Sequence, residues 1–157
     1  MSAITKVSHG DDQTYEAVDA DLAAGVLVIP STTATSSGLQ GIKVATDAAV
    51  NVLGVSAKSC VTAANQAADS VGNEGYGYPF VDASVPTALT AVYSHAIVPL
   101  TYTAAAVAYG AKLCAAASGH VRAWVSGTDP ASSIIGYCAQ PGGVSSAGGV
   151  ALVRVNI

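Results

Sequence analysis

Short runs of alternating apolar and polar residues, separated by turn residues, recur along this chain. The last eight residues place Ala151, Val153, Val155 and Ile157 on one face of an extended segment. Side chains alternate between the two faces of a β-strand, so this period of two predicts a strand with one buried face. Similar strands are predicted at residues 26–29, 42–45, 50–57, 96–102 and 120–125. Because Gly, Ser, Pro and Asp separate the runs, the pattern is typical of an all-β barrel or sandwich.

Two alanine-rich stretches, residues 61–71 and 103–108, depart from this pattern. Ala has the highest intrinsic helix propensity, so the first stretch favours one or two helical turns. The second also contains Val and Tyr and follows a strand-like segment, which favours a loop or a strand. We therefore expect at most short helices.

A weak repeat relates the two halves of the chain. A strand introduced by a glycine, Gly25 or Gly110, is followed by an apolar-apolar-Gly-x-x-Ala strand that contains Gly54 or Gly136. Glycine inside a strand marks a bulge or a close approach of two backbones. Coincidence in a chain this rich in Ala, Gly and Val explains the pattern equally well, so both interpretations stay open.

The length of 157 residues predicts one domain. We expect a single β domain over residues 22–157, in which the Gly- and Pro-containing segment 61–95 is a turn-rich insertion. Residues 1–21 hold five carboxylates and few large apolar side chains, which predicts an extended N-terminal arm. The alternative is a first strand packed within its own barrel.

Composition narrows the class of protein. Hydrophobic residues make up 51% of the chain and charged residues 10%, which excludes intrinsic disorder. The net charge of -4 offers no basic footprint for nucleic acid. A polar surface with few charges is typical of a protein that is covered by other protein, although an alanine-rich proteome would produce a similar composition.

Motifs for chemistry are absent from the sequence. Cys60, Cys114 and Cys138 lack C-x-x-C spacing, which predicts buried free thiols and no zinc site. The three histidines have no metal-ligand spacing, and no catalytic or phosphate-binding motif occurs. Neither a signal peptide nor a membrane span is predicted. We expect no catalytic residue, metal or cofactor, and no enzyme activity.

Arg122 and Trp124 are predicted to share one face of the strand at residues 120–125. Trp and Arg are enriched among the residues that dominate binding energy at protein interfaces. The two residues are therefore candidates for a contact between subunits, unless Trp124 is a core residue of the monomer.

Seven short segments, taken in order, resemble the small head decoration, or capsid-stabilising, proteins of tailed bacteriophages. They are LAAGVLV (22–28), IKVA (42–45), VLGVSA (52–57), VAYGAKL (107–113), SGHV (118–121), IIGYCA (134–139) and ALVRV (151–155). The resemblance implies a non-catalytic β-barrel domain that forms a homotrimer on the outer capsid surface of the virion. It also implies that the chain is made in the host cytoplasm and clamps neighbouring subunits of the major capsid protein. Segment 61–95 is longer than the family pattern.

The same resemblance suggests a role for the N-terminal arm. Ile4, Thr5, Lys6, Val7 and Tyr15 are candidate capsid-docking residues, since a β-prone segment without its own core can add a strand to a neighbour's sheet. Two other classes of function remain open. One is another phage structural β module, from a tail, a fibre or an adhesin, and the other is a small β-barrel ligand-binding protein.

Overall fold

The computed structural model describes residues 12–35, 37–62 and 88–157 of the chain. The regular secondary structure of this part of the chain is almost entirely β, which confirms the predicted all-β class. It contains two short 3-10 turns, Ala117–Gly119 and Ala131–Ser133. The ten strands are β1 (Asp12–Ala17), β2 (Leu27–Pro30), β3 (Gly41–Val44), β4 (Gly54–Ser56), β5 (Leu89–Tyr93), β6 (His95–Thr101), β7 (Lys112–Ala115), β8 (Val121–Ala123), β9 (Ile134–Cys138) and β10 (Val150–Asn156).

Strands β1 to β5 close into a barrel, which we call the N-terminal unit. Its strand order is β1-β3-β2-β4-β5, and β1 completes it by pairing in parallel with β3 and antiparallel with β5. Val28, Ile42 and Val92 are buried inside this barrel. Because alternate residues of a strand point to opposite faces, the neighbours of these side chains face outward.

Strands β6 to β10 form a second sheet, which we call the C-terminal unit. Its order is β6-β10-β9-β7-β8, and a parallel bridge between Tyr102 and Val121 joins the end of β6 to β8. Tyr102 is fully buried, and its hydroxyl donates to the carbonyl oxygen of Leu152 at 3.3 Å. Val98 and Val153 lie in the same core.

The two units repeat one another in strand order and in register. Leu27 pairs with Val55 in the N-terminal unit, and Lys112 pairs with Tyr137 in the C-terminal unit. The parallel pair of Ala17 with Ile42 corresponds to the parallel bridge between Tyr102 and Val121. Strands β1, β2, β3, β4 and β5 therefore correspond to β6, β7, β8, β9 and β10, respectively.

Turns outside the strands repeat as well. The amide of Gly25 donates to the carbonyl oxygen of Ser56 at 3.0 Å, and the amide of Gly110 donates to that of Cys138 at 2.8 Å. An isolated bridge follows in each unit, between Leu22 and Cys60 and between Val107 and Val144. The weak repeat predicted from the sequence is confirmed as a repeat of structure.

Gly54 and Gly136 occupy equivalent positions, and both require glycine. Their φ angles are +151° and +156°, a region that L side chains rarely adopt. A Cβ at either position would collide with a carbonyl oxygen of the adjacent strand, that of Tyr93 or Arg154. The close approach of two backbones that the sequence suggested is therefore present twice.

The connection between the last two strands differs most between the units. It runs from residue 57 to residue 88 in the N-terminal unit and from residue 139 to residue 149 in the C-terminal unit. The predicted insertion at 61–95 falls in the longer connection, but residues 89–95 are β5 and the start of β6. They are strands because β5 pairs with β1 and β4 to close the barrel. Residues 63–87, with most of the predicted helical stretch, lie outside the described residues.

Two predicted strands are shorter in the structure. Of residues 50–57 only Gly54–Ser56 is a strand, and of residues 120–125 only Val121–Ala123. The second ends early because the Asp129 carboxylate accepts a hydrogen bond from the amide of Val125 at 2.8 Å, which turns the chain away from the sheet. Val125 is consequently 50% exposed.

The units share one hydrophobic core at their junction. Leu27, Val55 and Ala45 of the N-terminal unit belong to the same buried cluster as the interior of the C-terminal unit. Ser94 alone separates β5 from β6, and its carbonyl oxygen accepts a hydrogen bond from Ile157 at 3.2 Å. No helix within the described ranges has the length and apolar character needed to cross a membrane.

Candidate interaction face

Arg122 ties the two units together. Its guanidinium makes a two-pronged contact with the carboxylate of Asp129, at 2.7 and 2.8 Å, and its Nε donates to Asp47 Oδ1 at 2.8 Å. Asp47 belongs to the N-terminal unit, whereas Arg122 lies on β8. The Arg122 side chain is only 21% exposed, so most of it is engaged within its own chain.

These contacts set the charge states at the junction. Hydrogen bonds from Arg122, and then from the Val125 amide, hold the pKa of Asp129 well below its ordinary value. The two carboxylates raise the pKa of Arg122 in return. Burial raises the pKa of the neighbouring Cys114 thiol to about 11, which keeps it protonated at neutral pH. Arg122, Asp47 and Asp129 therefore form a cluster of ion pairs beside the protonated thiol of Cys114.

Trp124 lies at the edge of this contact and is partly buried. Its indole Nε1 donates to the carbonyl oxygen of Pro130 at 3.1 Å, and the ammonium of Lys112 lies 5.5 Å from its ring centroid. A cation at this distance over an indole face is attracted to it. Whether Arg122 and Trp124 contact another subunit stays a prediction, and the structure shows that each already has partners in its own chain.

A row of basic and aromatic side chains crosses the outer face of the C-terminal unit. Tyr137 pairs directly with Lys112 on one side and with Arg154 on the other. Directly paired residues point to the same face of a sheet, so these side chains lie next to one another. Trp124 extends the row, since its amide donates to the carbonyl oxygen of Lys112 at 2.9 Å. We call Trp124, Lys112, Tyr137 and Arg154 the basic-aromatic row.

The basic-aromatic row has an apolar counterpart in the N-terminal unit. The equivalent residues are Ala45, Leu27, Val55 and Tyr93, joined by the same pairs and the same hydrogen bond. Ala45, Leu27 and Val55 are buried against the C-terminal unit, and Tyr93 packs beside them. In the basic-aromatic row, Lys112 and Arg154 are exposed and Tyr137 is 41% exposed. One face of the repeated fold is therefore buried in the first copy and open in the second.

Charge is divided unevenly between the two units. Residues 88–157 contain Lys112, Arg122 and Arg154 but a single carboxylate, Asp129, whereas residues 1–87 contain the other nine carboxylates and three lysines. The net charge of -4 thus conceals a basic C-terminal half and an acidic N-terminal half. Such asymmetry indicates a polarised surface, and the sequence interpretation based on net charge missed it.

An open cleft of about 640 Å³ lies where the two units meet. Val26, Val44 and the 3-10 turn around Ser118 line it, with Asp21 and Asp47 among the polar residues. Both carboxylates are engaged in the fold, because Asp21 accepts a hydrogen bond from the Thr62 amide and Asp47 binds Arg122. Both carboxylates that line the cleft therefore already have partners within the fold.

The predicted docking arm is divided by the structure. Ile4, Thr5, Lys6 and Val7 lie outside the described residues. Tyr15 lies on β1, where it pairs with Thr90 and packs against the N-terminal core. Residues 12–17 thus follow the alternative considered for the arm, a first strand within its own barrel. They do so because β1 pairs with β3 on one side and with β5 on the other, which closes the barrel.

The described ranges contain no candidate metal site. Among residues 12–35, 37–62 and 88–157, no three His, Cys, Asp or Glu side chains are placed to hold a metal ion. Cys60, Cys114 and Cys138 are buried free thiols, as the sequence predicted. The feature of the surface that distinguishes this chain is therefore the basic-aromatic row.

The fold resembles that of a solved bacteriophage protein. The chain superimposes on the N-terminal base of the head fiber gp8.5 of bacteriophage phi29 with a TM-score of 0.57 and 16% sequence identity. The match covers 93% of each chain, so both units take part. At this identity the likeness establishes the fold. No protein-family model matches the chain, and neither does any curated protein sequence.

Proposed function

We propose that this chain is a structural protein of a bacteriophage virion that binds the outer surface of the assembled head. The observation that carries the proposal is the likeness, over 93% of each chain, to a head fiber base. A fold shared over two consecutive units is a more specific match than a single small barrel, although fold alone does not imply function. The proposal joins this likeness to the resemblance of the sequence to head decoration proteins.

The chemistry of the surface supports a role in protein contacts. Tyr137, Trp124 and Arg154 belong to the residue types that dominate interface energies, and they lie side by side on an open sheet. The two carboxylates at the cleft, Asp21 and Asp47, are engaged in the fold, which makes a site for a charged ligand there a weaker candidate. We therefore propose a non-catalytic role without a cofactor.

In its specific form the proposal names partners. The chain forms a homotrimer and clamps neighbouring subunits of the major capsid protein, which stabilises the shell because it binds only the assembled state. Residues 1–10, with Ile4 to Val7, add a strand to the capsid protein. The second candidate function is the base of a head fibre, because the phi29 protein with the similar fold is a head fiber base.

Cosedimentation with assembled, empty shells of the phage that encodes the chain tests the proposal. The full chain is expected to pellet with shells at saturating stoichiometry and not with unassembled capsid protein. A chain lacking residues 1–10 is the matched variant, expected to keep its circular dichroism spectrum and to lose shell binding. Failure of the full chain to bind shells would overturn the proposal. Tight binding by the truncated chain would overturn the role of the arm alone.

Heating of the decorated shells separates the two candidates. A clamp is expected to raise the temperature at which shells release DNA or dissociate, by an amount that increases with occupancy. A fibre base that attaches without bridging subunits is expected to leave that temperature unchanged. Light scattering of bare and saturated shells measures the difference.

A further inference from the structure

The repeated fold predicts what the open face of the C-terminal unit is for. In the N-terminal unit the face formed by Ala45, Leu27 and Val55 packs against the next unit along the chain. The equivalent face of the C-terminal unit, the basic-aromatic row, has no following unit within residues 88–157 of this chain. It is the same surface of the same fold, with charged and aromatic side chains in place of most of the apolar ones.

We propose that the basic-aromatic row docks against the acidic N-terminal unit of a second copy of this chain. The inference deepens the proposed function, on which its biological role rests, because it assigns the residues that join copies to one another. Lys112 and Arg154 supply the positive charge, and Tyr137 and Trp124 supply the apolar contact area.

Charge determines which surface of the second copy the row meets. Two copies that met through the same row would bring two Lys112 ammonium groups and two Arg154 guanidinium groups together, and like charges oppose such a contact. Among its described residues the N-terminal unit carries five carboxylates against Lys43 and Lys58, and of these carboxylates Glu16 is buried and Asp47 is bound to Arg122. Asp19 and Asp21 reach the surface. A head-to-tail contact therefore joins opposite charges.

A head-to-tail contact also fits a ring. Heterologous contacts use two different patches on each subunit, and they close into a ring when the rotation between subunits permits it. The basic-aromatic row and the acidic N-terminal unit are two such patches on opposite halves of one chain. The packing of the two units inside the chain is itself head-to-tail, so the same kind of contact recurs between copies.

Sedimentation equilibrium of the full chain and two variants tests the contact. Tyr137→Ser and the double variant Lys112→Glu/Arg154→Glu are expected to raise the dissociation constant for self-association at least tenfold. The matched control is Tyr109→Ser, which removes a tyrosine that is 68% exposed on a turn outside the row. It is expected to associate like the original chain. A wild-type chain that is monomeric at every concentration, or a control that dissociates equally, overturns the proposal.

Zero-length cross-linking identifies the partner surface without any substitution. A carbodiimide joins the Lys112 ammonium directly to a carboxylate, and a mixture of isotopically light and heavy chains reveals which cross-links connect two copies. We expect mixed-isotope cross-links from Lys112 to Asp19 or Asp21. Cross-links between copies that lead from Lys112 only to other regions, or none at all, overturn the proposal.

Shell binding by the same variants separates this inference from the proposed function. Row variants that dissociate and still bind shells, more weakly through lost avidity, support the inference. Row variants that stay associated and lose shell binding overturn it, because the row then faces the capsid, while the proposed function stands. If the original chain associates through the row but never binds shells, the proposed function fails and the inference about the contact holds.

Discussion

The two units of this chain share one backbone plan and differ in what their outer faces carry. In the N-terminal unit the face that includes Leu27 and Val55 is apolar and buried. In the C-terminal unit Lys112 and Tyr137 occupy the same two positions and reach the surface. Strand order and register are the same in both units, so the difference lies in the side chains. One fold can serve as an internal joint or as an external face, depending on a few outward positions.

The interiors of the units tolerate replacement in a different way. Ser56 in the N-terminal unit corresponds to Cys138 in the C-terminal unit, and Val92 corresponds to Val153. Val92 and Val153 fill equivalent volumes, whereas the buried Ser56 hydroxyl also donates to the carbonyl oxygen of Ala23 at 2.7 Å. Gly54 and Gly136 do not exchange, since the backbone itself demands glycine. The two units therefore keep the same residue, glycine, where two backbones come into close contact.

Leu27 and Lys112 occupy equivalent positions in the two units, and exchange of their residue types should have the largest effect on stability. Leu27→Lys places an ammonium in the shared core without a partner, and we expect a loss of roughly 3–5 kcal/mol of unfolding free energy or failure to fold. The reciprocal change, Lys112→Leu, lies on the surface and should alter stability by about 0.5 kcal/mol or less. Urea unfolding followed by circular dichroism measures both. Equal losses would show that the two faces are not different environments.

Addition of a Cβ at the repeated glycines should have the next largest effect. Gly136→Ala and Gly54→Ala are each expected to cost about 3 kcal/mol, because the new atom meets a carbonyl oxygen of the neighbouring strand. The control is Gly110→Ala, whose φ of +77° is unfavourable but whose surroundings are open, with an expected cost of about 1 kcal/mol. Thermal and urea unfolding of the three variants give the ranking. A harmless Gly136→Ala would contradict the close approach.

Removal of the carboxylate that holds Arg122 tests the junction between the units. Asp129→Asn is expected to lower the thermal midpoint by several degrees at pH 7, more than Asp47→Asn does, because the Asp47 carboxylate is 60% exposed. The pKa of Asp129 is lowered in the folded chain, so its contribution to stability is complete above the ordinary carboxyl pKa and is lost as pH falls. The difference between the original chain and the variant should therefore be constant from pH 5 to 7 and shrink below about pH 4. A difference that increased toward low pH would be inconsistent with this ion pair.

The thiols offer the smallest effect. Burial raises the pKa of Cys114 to about 11, so its reaction with iodoacetamide at pH 8 should be roughly a hundredfold slower in the folded chain than in urea. Cys60, in the N-terminal unit, also has a raised pKa through burial and should be protected too. Peptide mapping of the alkylated chain by mass spectrometry compares the units directly. Rapid labelling of Cys114 in the folded chain would show that the loop of Asp129 opens.

The sequence predicts the fold class and the repeat better than it predicts the surface. Alternation at residues 150–157 and the spacing around Gly54 and Gly136 report directly on strands and backbone contacts. The sequence predicts an arm at residues 1–21 because that segment holds five carboxylates and few large apolar side chains, whereas the structure places residues 12–17 in β1. Its role depends on pairing with β5, which lies far along the chain and leaves no local signal. The predicted insertion at 61–95 includes β5 because β5, too, is defined by pairing with distant parts of the chain.

Prediction of the basic-aromatic row from the sequence requires an alignment of the two halves of the chain. Lys112 follows Gly110 by the same interval that separates Leu27 from Gly25, and Tyr137 follows Gly136 as Val55 follows Gly54. Comparison of these positions would have shown an apolar face replaced by a basic and aromatic one. Trp124 was recognised as an interface candidate from its residue type. Arg122 was paired with it by alternation, and its binding to Asp47 and Asp129 depends on tertiary contacts that alternation does not reveal.

The closure of the C-terminal unit also has a mechanical consequence. The antiparallel ladder of β6 and β10 begins at the pair of His95 with Asn156 and ends at the pair of Thr101 with Val150. Tension between Ser94 and a tether attached behind Ile157 would load the ladder at its first pair, so its hydrogen bonds would break one after another. Tension between Thr101 and Asn156 would load all of them together. Force spectroscopy with handles at these two pairs of sites should record the lower rupture force for the first geometry, which makes Ile157 a weak anchor for a pulled cargo.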